Sequence, residues 1–349
     1  MSWYRWMIVL AALAVAAPEV SAQSQRERDR ARERARQERQ KERERRLKCE
    51  KDDDDDRCDR NDDDDARSRR ASLDTTLLIE KRGIIDLALT SGEIIVTGWS
   101  RSDVRVKAVT EYGQIRLGAA AARISLGVRA RDGRMGETRY ELSVPVGTRV
   151  LTRSMSGGTT ITGVKGEVEA QSQSGDIDVS DATERVSLET LSGSVSARRL
   201  SGSVRLAAVS GDVDLTAATG DVEIETVSGE ITLADVRSRY VRTETTSGDV
   251  EFEGAIDPTG RYEFRSHSGD VRVTIPRGAG AAVDVETFSG SINSDFRIVL
   301  EPGERAMGSS PKRFDFKVGD GGARISLESF SGDIRIVRAG IRSTETREP

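Results

Sequence analysis

The tripeptide Ser-Gly-Asp, or a near variant of it, returns along this chain at a steady beat, and that beat restricts the possible folds more than any other feature. Its glycines fall at Gly157, Gly166, Gly175, Gly193, Gly202, Gly211, Gly220 and Gly229 in steps of nine or eighteen, and then at Gly248, Gly269, Gly290 and Gly332. A period of about 20 residues marks a solenoid, in which one repeat cannot bury its apolar face alone and does so against its neighbours.

The copies can be aligned against each other. Val186-Ser187-Leu188-Glu189-Thr190-Leu191-Ser192-Gly193 is matched by the segments beginning at Val222, Val241, Val283 and Ile325. Strand side chains alternate between faces, so the aliphatic and Thr/Ser positions point one way and the Glu positions the other. A second alternating strand follows each glycine, as in Asp176-Ile177-Asp178-Val179 and Asp212-Val213-Asp214-Leu215. Glycine at the turn permits positive φ, and the adjacent Ser or Asp can bond nearby backbone groups. Hydrophobic residues are only 36% and aromatic ones 4% of the chain, which fits a thin core of Val, Ile, Leu, Ala and Thr. The expected fold is all-β: a right-handed parallel β-solenoid with two short strands per rung of about 18–21 residues, preceded by a charged helical or disordered leader. The Ser or Thr before each turn reads as an inward hydroxyl ladder that satisfies itself from rung to rung.

Upstream of the repeats, Met1 to Ala22 has Arg5, an apolar run from Met7 to Ala17, and Val20-Ser21-Ala22 before Gln23. This pattern reads as a secretory signal peptide cleaved after Ala22. Its apolar run is shorter than the roughly 20 residues a membrane helix needs, so no transmembrane segment is expected after its removal. The expected location is the periplasm, the outer membrane surface or the exterior. Residues 23–70 form a charged low-complexity leader with almost no apolar side chains to bury. Cys49 and Cys58 sit among the aspartate runs Asp52–Asp56 and Asp62–Asp65, and in an oxidising compartment they are a disulfide candidate. Those runs lack the glycine and final glutamate of an EF-hand loop. Residues 71–150 read as N-terminal strand repeats that cap the stack, 151–340 as the regular solenoid with an insertion at about 295–323, and 341–349 as a disordered tail. A formal charge of −5 argues against a nucleic-acid partner.

Three sharper meanings of the repeat compete with turn formation. Calcium is suggested by Asp176, Asp212, Asp221, Asp249, Asp270 and Asp333. Each turn has a single glycine, however, and Ser194, Ser203 and Ser291 replace the aspartate elsewhere, so no metal site is assigned. Catalysis on glycans would need converging carboxylates. The chain has one histidine, His267, and no cluster that departs from the repeat rhythm, so no catalytic residue and no cofactor are expected. Binding is the third meaning. The residue just before the turn serine varies as Leu191, Val209, Val227, Thr246, His267, Phe288 and Phe330; strand parity turns it outward, where Leu191, Val209, Val227, Phe288 and Phe330 would form an apolar stripe. The insertion between Ser291 and Ser331, or the cap, could instead cover it.

At units such as Ser174 to Val179 and Ser268 to Val273, the chain resembles the bacterial β-strand-repeat family labelled "putative adhesin", a domain family of unknown function, over about Leu77 to Val337. The resemblance implies an exported or envelope-associated β-solenoid and carries no catalytic residues. The expected role is a non-enzymatic envelope scaffold for adhesion or interaction, whose partner is an envelope or surface macromolecule, protein or glycan. A glycan-active β-helix enzyme and an envelope-stress signalling accessory are the alternatives.

Overall fold

The computed structural model describes residues 70–130, 134–297 and 312–340. The signal segment, the charged leader with Cys49 and Cys58, and the 341–349 tail lie outside the described residues. Among the described residues there are 24 strands and no helix, and so no helix long and apolar enough to cross a membrane.

The first seven strands are β1 (Ala71–Leu78), β2 (Ile84–Trp99), β3 (Asp103–Thr110), β4 (Gln114–Ala120), β5 (Arg123–Arg129), β6 (Thr138–Pro145) and β7 (Arg149–Thr162). β7 lies parallel to β2, and the far edge of β2 is covered by β5 at Ile84–Leu87 and by β6 at Gly92–Trp99. Antiparallel strands then close this end: β4 on β5, β3 on β6 and β1 on β3. An antiparallel last strand breaks the parallel pattern that a further rung would copy.

Four regular rungs follow, each a longer and a shorter strand joined by the Ser-Gly turn. They are β8 (Val168–Ser174) with β9 (Ile177–Ser180), β10 (Arg185–Ser192) with β11 (Val195–Arg198), β12 (Ser201–Ser210) with β13 (Val213–Thr216), and β14 (Thr219–Ser228) with β15 (Ile231–Val236). Val168, Val186, Val204 and Val222 stand in register at one constant spacing, in parallel pairing. Val186, Leu188, Val195 and Ala197 are fully buried between the two strand columns. Each Val or Leu so buried contributes roughly 1.5–3 kcal/mol, repeated at every rung. At the other turn of the rung, Asp181, Arg199, Ala217 and Asp235 adopt φ of 59°, 52°, 57° and 51°, one such residue in each rung.

The period lengthens in the next two rungs, β16 (Tyr240–Ser247) with β17 (Val250–Gly254), and β18 (Arg261–Ser268) with β19 (Val271–Ile275). Val222 pairs with Val241 and Val241 with Tyr262, each step longer than the one before. The core changes here too. Phe252 packs 5.1 Å from Phe264 and 5.9 Å from Tyr262, where earlier rungs carry aliphatic side chains.

The end of the stack does not follow chain order. β20 (Ala281–Ser289) and β21 (Ile292–Ser294) come next in sequence, then β22 (Lys312–Val318), β23 (Ala323–Ser331) and β24 (Ile334–Arg338). In space β23 and β24 lie against β18 and β19, and β20 and β21 sit outside them. β22 closes the column antiparallel on β20. The copies share one inward pattern, so either could occupy the inner place, and local pattern alone does not reveal which does.

Candidate functional site

The Ser-Gly turns form one edge of the stack. Gly211 has φ of +142°, and a Cβ there would lie 2.0 Å from the carbonyl oxygen of Gly193 in the rung before. Glycine is therefore required twice, by its own backbone and by the closeness of the next turn.

The aspartate after the glycine links the rungs. The Asp176 Oδ1 accepts the Ser194 backbone N–H at 2.8 Å, and Asp212 does the same for Glu230 at 2.9 Å. Asp249 accepts from Asp270, Asp270 from Asp333, and Asp333 from Ser291, at 2.7, 2.8 and 2.9 Å. The Ser291 N–H holds the Asp333 carboxyl below the usual range. These carboxylates are engaged by backbone, and no group of three metal-ligating side chains occurs among the described residues. Asp221 proves to belong elsewhere: it follows Gly220 within β14, pairs with Ser203 and lies at the opposite turn. Two interleaved glycine series therefore mark two different turns.

The hydroxyl ladder also differs from its expected form. Ser266 Oγ donates to the Gly248 carbonyl at 3.0 Å, Ser329 to Gly269 at 3.1 Å and Thr287 to Gly332 at 3.3 Å. The acceptors are turn carbonyls of the adjacent rung rather than other hydroxyls, while the buried Thr226 and Thr245 hydroxyls have no partner among the described residues.

Beside the turn runs the variable column. Leu191, Val209, Val227, Phe288 and Phe330 are exposed, between 38% and 49%, and His267 is exposed with them. Met155, 52% exposed, occupies the same place before Ser156-Gly157 in β7, with the polar Gln173 of β8 between it and Leu191 and Thr246 of β16 between Val227 and His267. The repeat position of Met155 was the available sequence signal. Because β23 lies between β18 and β20, Phe330 stacks against His267 on one side and Phe288 on the other. Both centroid distances are 4.8 Å, with interplanar angles of 9° and 4°.

Acidic residues flank this stripe. Glu225, two residues before Val227, has its carboxyl pushed up by burial and then by Glu223 and Glu244. Glu230, on the far side of the turn, is pushed up by desolvation and by Asp212 and Asp249. In the middle rungs the edge is thus an apolar line with carboxylates on both sides, while Arg153 and Arg265 take the place of Glu225 in β7 and β18.

The model of the Toastrack DUF4097 family matches residues 197–256 and 224–337, which span the long rungs and the reordered end. None of the curated proteins compared matches the chain. A crystal structure described as a putative adhesin from Bacteroides fragilis is similar at 11% identity and a TM-score of 0.36, over 76% of this chain and 97% of that one. Another described as a putative adhesin, from Parabacteroides merdae, is similar at 10% identity and 0.29, over 78% and 98%. A putative cell adhesion protein from Clostridium sporogenes is similar at 10% identity and 0.21, over 77% and 100%.

Proposed function

Starting from a chain that carries Toastrack DUF4097 matches over residues 197–256 and 224–337, we propose that it is a non-enzymatic, exported cell-envelope scaffold that holds a surface or envelope macromolecule. The observation that carries this reading is the exposed column of Met155, Leu191, Val209, Val227, Phe330 and Phe288, interrupted at Gln173, Thr246 and His267, along a stack whose two strand columns share one core. A line of apolar side chains held at strand spacing is preorganised, so a partner orders little of this surface on binding. The flanking carboxylates favour a partner with basic or hydroxyl groups beside its apolar contact. Export rests on the Met1–Ala22 pattern, and the partner, protein or glycan, belongs to the compartment that pattern implies.

The test is binding of labelled protein to envelope fragments. Both ring positions are exposed, so Phe288→Ser with Phe330→Ser should keep the β circular dichroism and lower affinity by about tenfold or more, from about 1.5–3 kcal/mol per buried ring. Unchanged binding by the folded double variant would remove the stripe from this role.

A further inference from the structure

The opposite turn of the stack holds a recess that the repeat does not require. From Val168 through Val186 and Val204 to Val222 the register advances by one fixed step; the steps on to Val241 and then to Tyr262 are longer. The added residues are laid down at one corner. The register slips between Ala234 and Val236, and the chain then runs through Arg237, Ser238 and Arg239 in one rung and 255–260 in the next. Residues 237–239 and 255–257, with Gly220 and Asp221, line an open cleft of about 370 Å³, which lies within the range of small-ligand sites.

This corner is held in place. Tyr262 occupies the column filled by valine in the earlier rungs, and its hydroxyl reaches the loop: it donates to the Ser238 carbonyl at 2.7 Å and accepts the Asp257 N–H at 2.8 Å. Asp257 accepts from both the N–H and the hydroxyl of Thr259, at 2.9 and 2.7 Å, which holds its carboxyl below the usual range. Arg239 Nε donates to Asp257 at 3.3 Å and Arg237 to Asp235 at 3.2 Å.

The charge selects the ligand. Arg237 is paired with Asp235, which lies outside the recess, and Arg239 with Asp257, which leaves Asp221 as the lining carboxylate that no guanidinium meets. An anion is disfavoured. The Asp221 carboxylate has no partner among the described residues, both guanidinium groups are largely exposed, and exposed Ala255 beside the mostly buried Ile256 supplies an apolar wall. A free carboxylate accepts from vicinal hydroxyls, a guanidinium donates to ring or hydroxyl oxygens, and an apolar wall receives the C–H face of a sugar. We propose that this recess binds one neutral pyranose unit of a glycan. The site stands apart from the apolar stripe, which lies at the other turn.

Saturation-transfer NMR on the intact protein tests this with the methyl glycosides of glucose, galactose, mannose and N-acetylglucosamine, and with glucuronate as the anionic control. At least one neutral glycoside should give a signal and glucuronate none. Asp221→Ala should weaken that signal at least tenfold in affinity, and Ala255→Trp, at an exposed position, should abolish it by filling the recess. Phe330→Ser should leave it unchanged, which separates this site from the stripe. Silence from all four neutral glycosides, binding of glucuronate as tight as theirs, or unaltered binding by both recess variants would overturn the proposal.

Discussion

The two turns of each rung obey different rules, although one short stretch of chain makes both. The Ser-Gly turn keeps its residue count from β7 to β24, whereas the opposite corner grows as soon as the core turns aromatic. The difference lies in what crosses between rungs. Between the Gly248 and Gly269 turns three side-chain or steric links act together: the glycine pressed on its neighbour's carbonyl, the aspartate on the next N–H, and the inward hydroxyl of Ser266 on a turn carbonyl. At the corner, backbone bonds such as Arg199 N–H to Thr216 and Ser201 N–H to Ala182, both at 2.9 Å, join the rungs, and Gly202 and Gly220 press on the rung before as the Ser-Gly glycines do. The side-chain links differ from rung to rung: the Asp181–Arg199 pair at 2.8 Å, the Thr183 hydroxyl on the Lys165 carbonyl at 3.0 Å and the Thr219 hydroxyl on the Leu200 carbonyl at 3.5 Å. The aspartate-to-N–H link recurs in one form along the Ser-Gly turn, whereas the side-chain links at the corner change from rung to rung, and it is there that the length changes and new surface arises.

That contrast can be broken most severely at Gly211. Gly211→Ala should cost about 3 kcal/mol, since alanine is strained at φ +142° and its Cβ would meet the Gly193 carbonyl. Urea unfolding would show it as a lowered midpoint, and a loss below about 1 kcal/mol would mean that adjacent turns separate easily. Asp176→Ala should be milder, about 1 kcal/mol, because it leaves one exposed N–H, that of Ser194, to find water. Asp176→Asn keeps an acceptor and should recover most of this loss; equal losses in the two variants would show that the rung link does not depend on the acceptor. The smallest effect is expected at the corner. Ala217→Gly should change stability by no more than about 0.5 kcal/mol, since relief at φ 57° is offset by a more flexible unfolded chain. A loss as large as that at Gly211 would erase the distinction between the turns.

Much of the architecture was legible from residue order. The alternation of Val186, Leu188 and Thr190 against Ser187 and Glu189 told inside from outside, and the same parity turned Leu191 and Phe330 outward, where the structure has them exposed. The recess was less visible, though its trace was present: the glycine spacing widens at Gly248 and again at Gly269, and a tyrosine stands at a valine position. The spacing alone does not say that the added residues collect at one corner.

The sequence by itself determined the two-strand rung, its thin core and the glycine at its turn, because side-chain alternation and backbone φ are settled within a few residues. Only the tertiary structure decided that β23 and β24 slip inside β20 and β21, and so that Phe330 is sandwiched between His267 and Phe288. It also decided that each turn aspartate serves the N–H of another rung and that Asp221 faces a cleft with Arg237 and Arg239. These are contacts between copies of one pattern, and identical copies carry no local mark of which neighbour they will meet.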